Sequence, residues 1–175
     1  MIQSDKFDLV NMNIKKITNL TLVFIAKRLS ETFGILILLA GLVLFISLIS
    51  YSPEDPNFIF PENVEIKNLL GIRGSYISDL FFQSIGLISF FIALTLIFTG
   101  VNIIYYKNFF LIIENLFYSI LYSIFGSLFF SYFYNTAFAL FINGNGGFVG
   151  IYLSENIFDN LIIINEIVSY YLLII

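Results

Sequence analysis

Between Phe33 and Ser50 the chain reads FGILILLAGLVLFISLIS, 18 residues without a charge. A hydrocarbon core takes about 20 helical residues to cross. Backbone surrounded by lipid must satisfy its own hydrogen bonds, which leaves helices and closed barrels as the structures that can span. The uncharged run therefore predicts a transmembrane helix. A second lies within 80–106, and a third within 116–134, possible starts reaching back to Phe109. Only 11% of residues are charged, against about a quarter in a soluble domain, and a small domain has too much surface to hide the remainder in a core. The expected fold is all-α, a polytopic transmembrane helical bundle with three full spans plus a truncated fourth. That fourth run, residues 161–175, covers about 22 Å at 1.5 Å per residue, short of the roughly 30 Å core. The chain reads as the front piece of something longer.

Residues 1–32 form a mixed, basic N-terminal segment. It carries Lys6, Lys15, Lys16, Lys27 and Arg28, and Ile14, Ile17, Leu20 and Phe24 recur at helical spacing, so a helix lying on the membrane surface is expected. No small-residue cleavage site follows an apolar run, so a signal peptide fits poorly. Residues 33–175 form the transmembrane domain. After the first span, Ser52-Pro53-Glu54-Asp55-Pro56 makes a turn, with Ser52 able to cap and Pro53 suited to a first helical position. Residues 51–79 read as a polar loop with five acids against Lys67 and Arg73; Gly71 and Gly74 break it, and Ser75 is the expected N-cap of the second span. Lys107-Asn108 is a short hairpin turn. Basic residues favour the cytoplasmic side. The N-terminal segment and this turn hold six of the eight, and residues 135–160 hold none. The N-terminus is therefore expected in the cytoplasm of a multi-pass protein, with loops one and three outside.

The candidate residues within the spans are few. Ser119, Ser123, Ser127 and Ser131 repeat every fourth position beside Gly126. Small hydroxylated residues allow close helix contact in lipid, so this ladder is read as a packing seam. The alternative is a polar pathway for a solute, which is weakened because serines also bond back to their own helix. The spans as drawn contain no ionisable residue, which weakens a transporter reading. Glu114 and Glu166 are placed near headgroups, and Asp79 is expected to cap or be hydrated at the mouth of span two. Asn143-Gly144-Asn145-Gly146-Gly147 is read as a tight turn at the lipid boundary, since a phosphate-binding loop needs Gly-Lys-Ser/Thr and no lysine here follows a glycine. There is no Cys or His, so thiol chemistry and the usual metal ligands are missing. No catalytic, cofactor-binding or metal residue is assigned. A net charge of -4 argues against a grip on nucleic acid.

Three stretches together carry a resemblance. They are Ser50-Tyr51-Ser52-Pro53-Glu54-Asp55-Pro56-Asn57-Phe58, then Gly71-Ile72-Arg73-Gly74-Ser75-Tyr76-Ile77-Ser78-Asp79-Leu80-Phe81-Phe82-Gln83-Ser84-Ile85-Gly86, then Gly146-Gly147-Phe148-Val149-Gly150. In this order the chain, from about Thr32 to Ile175, resembles the N-terminal four-helix membrane domain of the FtsK/SpoIIIE family of bacterial DNA translocases. The family commonly has Ala where Ser75 and Ser78 stand. The resemblance marks Ser52, Pro53, Asp55, Pro56, Gly71, Gly74, Asp79, Gly146, Gly147 and Gly150 as family-like outer-loop residues with a structural role. It implies a non-catalytic anchor in the inner membrane at the division septum, acting in cell division and chromosome partition. A hexameric motor using ATP and magnesium would follow it and pump DNA, and septal division proteins would be partners. This chain itself carries no Walker motifs, and no motor domain is expected in it. Two other classes compete: a transporter or channel subunit, and a small stand-alone structural membrane protein. What lies beyond Ile175 separates them from the anchor.

Overall fold

The computed structural model describes residues 2–57, 65–134, 143–158 and 171, with side chains for 15–57, 65–134, 143–156 and 171. Among these residues every regular element is helical. α1 spans Ile2–Ile49, about 72 Å at 1.5 Å per residue. It runs through Thr32 without a break, so the basic segment is helical as expected but continuous with the first span. No Gly or Pro occurs before Gly34, and nothing local stops the helix that the span begins.

α2 covers Gly71–Ile85, one 3₁₀ turn follows at Gly86–Ile88, and α3 covers Ser89–Tyr106. The second span thus starts nine residues before Leu80, where it was expected, and is broken in two. Ser75 sits inside α2 instead of capping it; Leu70 holds the cap position, without a side-chain bond. Ser52 and Pro53 likewise start no helix, and lie in a turn closed by the Asp55 N–H on the Ser52 carbonyl (3.1 Å). α4 covers Leu111–Phe133 and α5 Gly147–Leu153, with a wider π-type turn at Ser154–Phe158. The expected fourth run, with Glu166, lies outside the described residues apart from Tyr171.

The most intimate pairing is α1 with α3, and glycines explain it. A Cβ at Gly100 would stand 2.6 Å from the Leu38 nitrogen; one at Gly41 would stand 2.8 Å from the Ile97 nitrogen. Backbones that close leave no room for a larger side chain, and close approach is what holds helices together in lipid. Leu44, Leu48, Phe82 and Ala93 form the buried core beside this seam, with Phe82 edge-on to Tyr51 (4.9 Å) and Phe90 (5.6 Å).

One end of the bundle is the hairpin end. Lys107 adopts the left-handed conformation (φ 56°), and its N–H bonds the Ile103 carbonyl (2.8 Å). The Asn108 side chain accepts the Phe110 N–H (3.0 Å), which sets the start of α4. Glu31 of α1 bridges Arg28 (2.6 Å) and Lys107 (2.9 Å), and Phe33 meets Phe109 edge-on. The opposite end, the loop end, carries the motif residues. Glu114 is exposed in the first turn of α4, where a carboxylate suits the helix dipole.

Candidate functional site at the loop end

The proline-flanked turn after α1 aims Asp55 inward. Its carboxylate is 4% exposed and accepts two backbone N–H groups, from Lys67 and Asn68, at 2.8 Å each. Charge-assisted bonds of this kind are about twice as strong as neutral ones, so the far end of loop one is pinned to its beginning. Asn68, equally buried, then reaches back to α1. Its amide donates to the carbonyls of Ser47 (3.0 Å) and Ser50 (3.2 Å), which the end of a helix leaves unpaired. Its oxygen accepts the Leu70 N–H (3.0 Å). Two hydroxyls close the latch: Ser47 donates to the Gly74 carbonyl (2.6 Å), and Ser75 to that of Pro56 (2.7 Å). A Cβ on Gly74 would overlap the Asn68 side chain, and Gly71 starts α2 with φ +65°, which only glycine adopts freely. Ser52, Pro53, Asp55, Pro56, Gly71 and Gly74 are therefore brought into one structure. Sequence reasoning missed Asn68 and Ser47. An Asn three residues ahead of Gly71 was the available signal. Glu54 and Lys67 form an exposed ion pair; the hydrogen bond from Lys67 holds the Glu54 carboxyl below its ordinary range.

Asp79 lies inside α2 and does not cap it. It is 5% exposed, and one carboxylate oxygen faces the Tyr51 hydroxyl and the Gln83 amide, each at 3.4 Å. Its helix begins earlier than expected, which carries it inside. Burial first, then the charge of Asp79, pushes the Tyr51 phenol well above its ordinary range. Gln83 continues the chain of bonds: its carbonyl accepts the Asn143 amide (3.1 Å), and its side-chain oxygen accepts the Asn143 N–H (3.3 Å). Loops one and three are thus joined through α2.

The third motif docks at the break between α2 and α3. Gly86 has φ +64°, and any Cβ there would overlap the Asn145 carbonyl, which accepts the Leu87 N–H (2.9 Å). Asn145 is fully buried; its amide donates to the Tyr134 carbonyl, and its oxygen has no partner among the described residues. Turns do occur at Gly144 and Gly147, both with positive φ. The turn is also packed: Gly146 and Gly150 lie against Ser127 and Ser131 of α4 so closely that a Cβ on either would overlap the Ser127 carbonyl.

The serine ladder divides accordingly. Ser127 donates across to the Ile85 carbonyl (3.0 Å), whereas Ser119 and Ser123 bond back to Asn115 (2.7 Å) and Ser119 (2.6 Å) of their own helix. The latter two border an apolar cavity of about 380 Å³ between α3 and α4, with Ile37 and Val149 also on its wall. Thr95 with Tyr122 and Asn115 with Thr99 (both 2.8 Å) join the two helices beside it. Chemically, the bonds that cross between elements tie helix to helix through side chains. No three carboxylates among the described residues group to hold a metal.

Three helices long and apolar enough to cross a membrane, latched by two loops at one end, define a polytopic helical membrane domain. The family model for the 4TM region of DNA translocase FtsK/SpoIIIE matches residues 26–175, and the chain belongs to that family. Among curated proteins it is similar to the DNA translocase FtsK of Rickettsia prowazekii (strain Madrid E), 36% identical over 94 residues, 51% of this chain and 13% of that protein. It is also similar to the DNA translocase FtsK of Azospirillum brasilense, 37% identical over 76 residues, 42% of this chain and 12% of that protein. The same holds for the DNA translocase FtsK of Rickettsia typhi (strain ATCC VR-144 / Wilmington), 37% identical over 83 residues, 46% and 11%. The match falls on the transmembrane region and not on the motor domain. No solved structure matches.

Proposed function

We propose that this chain is the membrane anchor region of an FtsK-type DNA translocase acting in cell division and chromosome segregation, without catalysis of its own. The observation that carries the reading is the family match across residues 26–175. A motor attached to such an anchor would use ATP and magnesium and would make the only contact with DNA. The anchor's work is then mechanical: to hold the motor at the inner membrane of the septum, to let copies associate, as a hexamer by resemblance, and to meet septal division proteins. The latches suit that work, because a support under load needs loops that do not slip relative to its helices.

The test is to read the coding DNA past codon 175 and to follow a fluorescent fusion of the protein in dividing cells. A polar linker leading into Gly-x-x-x-x-Gly-Lys-Ser/Thr, with septal fluorescence, is the expected result. A stop codon after Ile175 would remove the motor reading and leave a small stand-alone membrane protein.

A further inference from the structure

We propose that residues 15–30 of α1 are a docking surface for anionic phospholipid headgroups at the hairpin end of the bundle. Glu31, Lys107, Phe33 and Phe109 mark where α1 meets the hairpin. On the N-terminal side of that level, every residue from Lys15 to Leu29 is exposed. The stretch nevertheless reads KKITNLTLVFIAKRLS, with large apolar side chains on all sides; Leu20 is 63% exposed and Phe24 58%. Contiguous apolar surface of this size marks an interaction site.

Charge decides what covers it. Lys15, Lys16, Lys27 and Arg28 bracket the apolar run, and the stretch contains no acid. Lys15, Lys16 and Lys27 form no ion pair with a described residue, while Arg28 lies over the Phe24 ring at 5.1 Å and bonds Glu31. A parallel second copy would set four cations against four like charges. An anionic headgroup layer satisfies both halves of the pattern, because apolar side chains enter the headgroup–acyl boundary while cations meet phosphates. The segment is also placed for it, directly continuous with a spanning helix. Thr21, Ser30 and Thr32 each bond the carbonyl four residues before (3.0, 3.0 and 3.1 Å). These bonds keep the three hydroxyls within α1, which stays one continuous helix from this stretch into the span. This assignment rests on the membrane domain alone and stands whether or not a motor follows.

The chain has no Cys, so Val23→Cys carries a single environment-sensitive fluorophore. The protein is reconstituted in vesicles of phosphatidylglycerol or of phosphatidylcholine alone, and quenching by iodide is compared with quenching by brominated lipid. In phosphatidylglycerol the label is expected to be shielded from iodide and quenched by the lipid. Replacing Lys15, Lys16 and Lys27 by Gln, which keeps helix propensity and leaves the Arg28–Glu31 pair intact, is expected to lower the docked-to-free ratio about 100-fold, at roughly fivefold per cation. Phosphatidylcholine should act in the same direction. Full access of iodide in phosphatidylglycerol would overturn the proposal. Equal shielding in both lipids, rising with the protein-to-lipid ratio, would overturn it in favour of a second copy.

Discussion

At Asp55 a single side chain holds two buried N–H groups, so its removal costs more than a contact. Asp55→Ala leaves both donors without an acceptor, at about 1–3 kcal/mol each, and thermal unfolding of the detergent-solubilised protein should show a loss of that size. Glu54→Ala, one position away on the exposed side of the turn, should leave the midpoint unchanged within error. Tyr51 gives a pH signature. Its phenol is held neutral when folded but ionises near pH 10 when unfolded. Above about pH 10 the unfolded state therefore binds fewer protons than the folded one, and stability falls as pH rises. Tyr51→Phe should lose the Asp79 bond at every pH and also remove part of that alkaline fall, read as a flatter midpoint-versus-pH curve.

Between elements, what matters is which atom a substitution meets. A methyl at Gly100 meets the backbone of α1, whereas one at Gly126 meets the end of the Ile88 side chain, which can rotate away. Overpacking against fixed atoms costs typically 1–3 kcal/mol. Gly100→Ala should therefore destabilise by about that amount and Gly126→Ala by clearly less, compared by unfolding in the same detergent. The serine ladder separates by the same reasoning. Ser127→Leu must displace α2 and α5, and should disrupt the fold measurably by protease sensitivity. Ser123→Leu extends into the apolar cavity and should be tolerated. Equal damage from both would restore the uniform packing seam expected from the four-residue spacing.

For the molecule as a whole, the distribution of basic residues predicts an orientation. Thiol labelling can read it, because the background is free of Cys. With the N-terminus in the cytoplasm, Glu54→Cys should react with a membrane-impermeant reagent added to intact cells, after their outer barrier is opened, and Lys107→Cys should react only after lysis. The reverse pattern would invert the topology. The two loops of the loop end are coupled through Asp79, Gln83 and Asn143, and they would move as one body on any partner that touches either.

The three full spans, the hairpin at Lys107 and the ends of α1 and α4 near Ile49 and Phe133 were legible in the sequence. Each follows from the length of an uncharged run, and lipid imposes that length on any chain crossing it. The motif residues could be picked out as a set, but not what they do. Whether Ser75 caps a helix or bonds Pro56, whether Asp79 reaches Tyr51, and what the turn at Gly146 packs against depend on partners 19 to 28 residues away or more, as in the Ser75–Pro56 and Tyr51–Asp79 pairs. The α1–α3 seam was missed for the same reason. Gly34, Gly41 and Gly100 are unremarkable one at a time, and only the approach of two backbones makes their missing side chains necessary. Local pattern determines which segments enter the membrane; hydrogen bonds and contacts between distant segments decide how those helices are held, because apolar side chains gain little from one another in a solvent that is itself apolar.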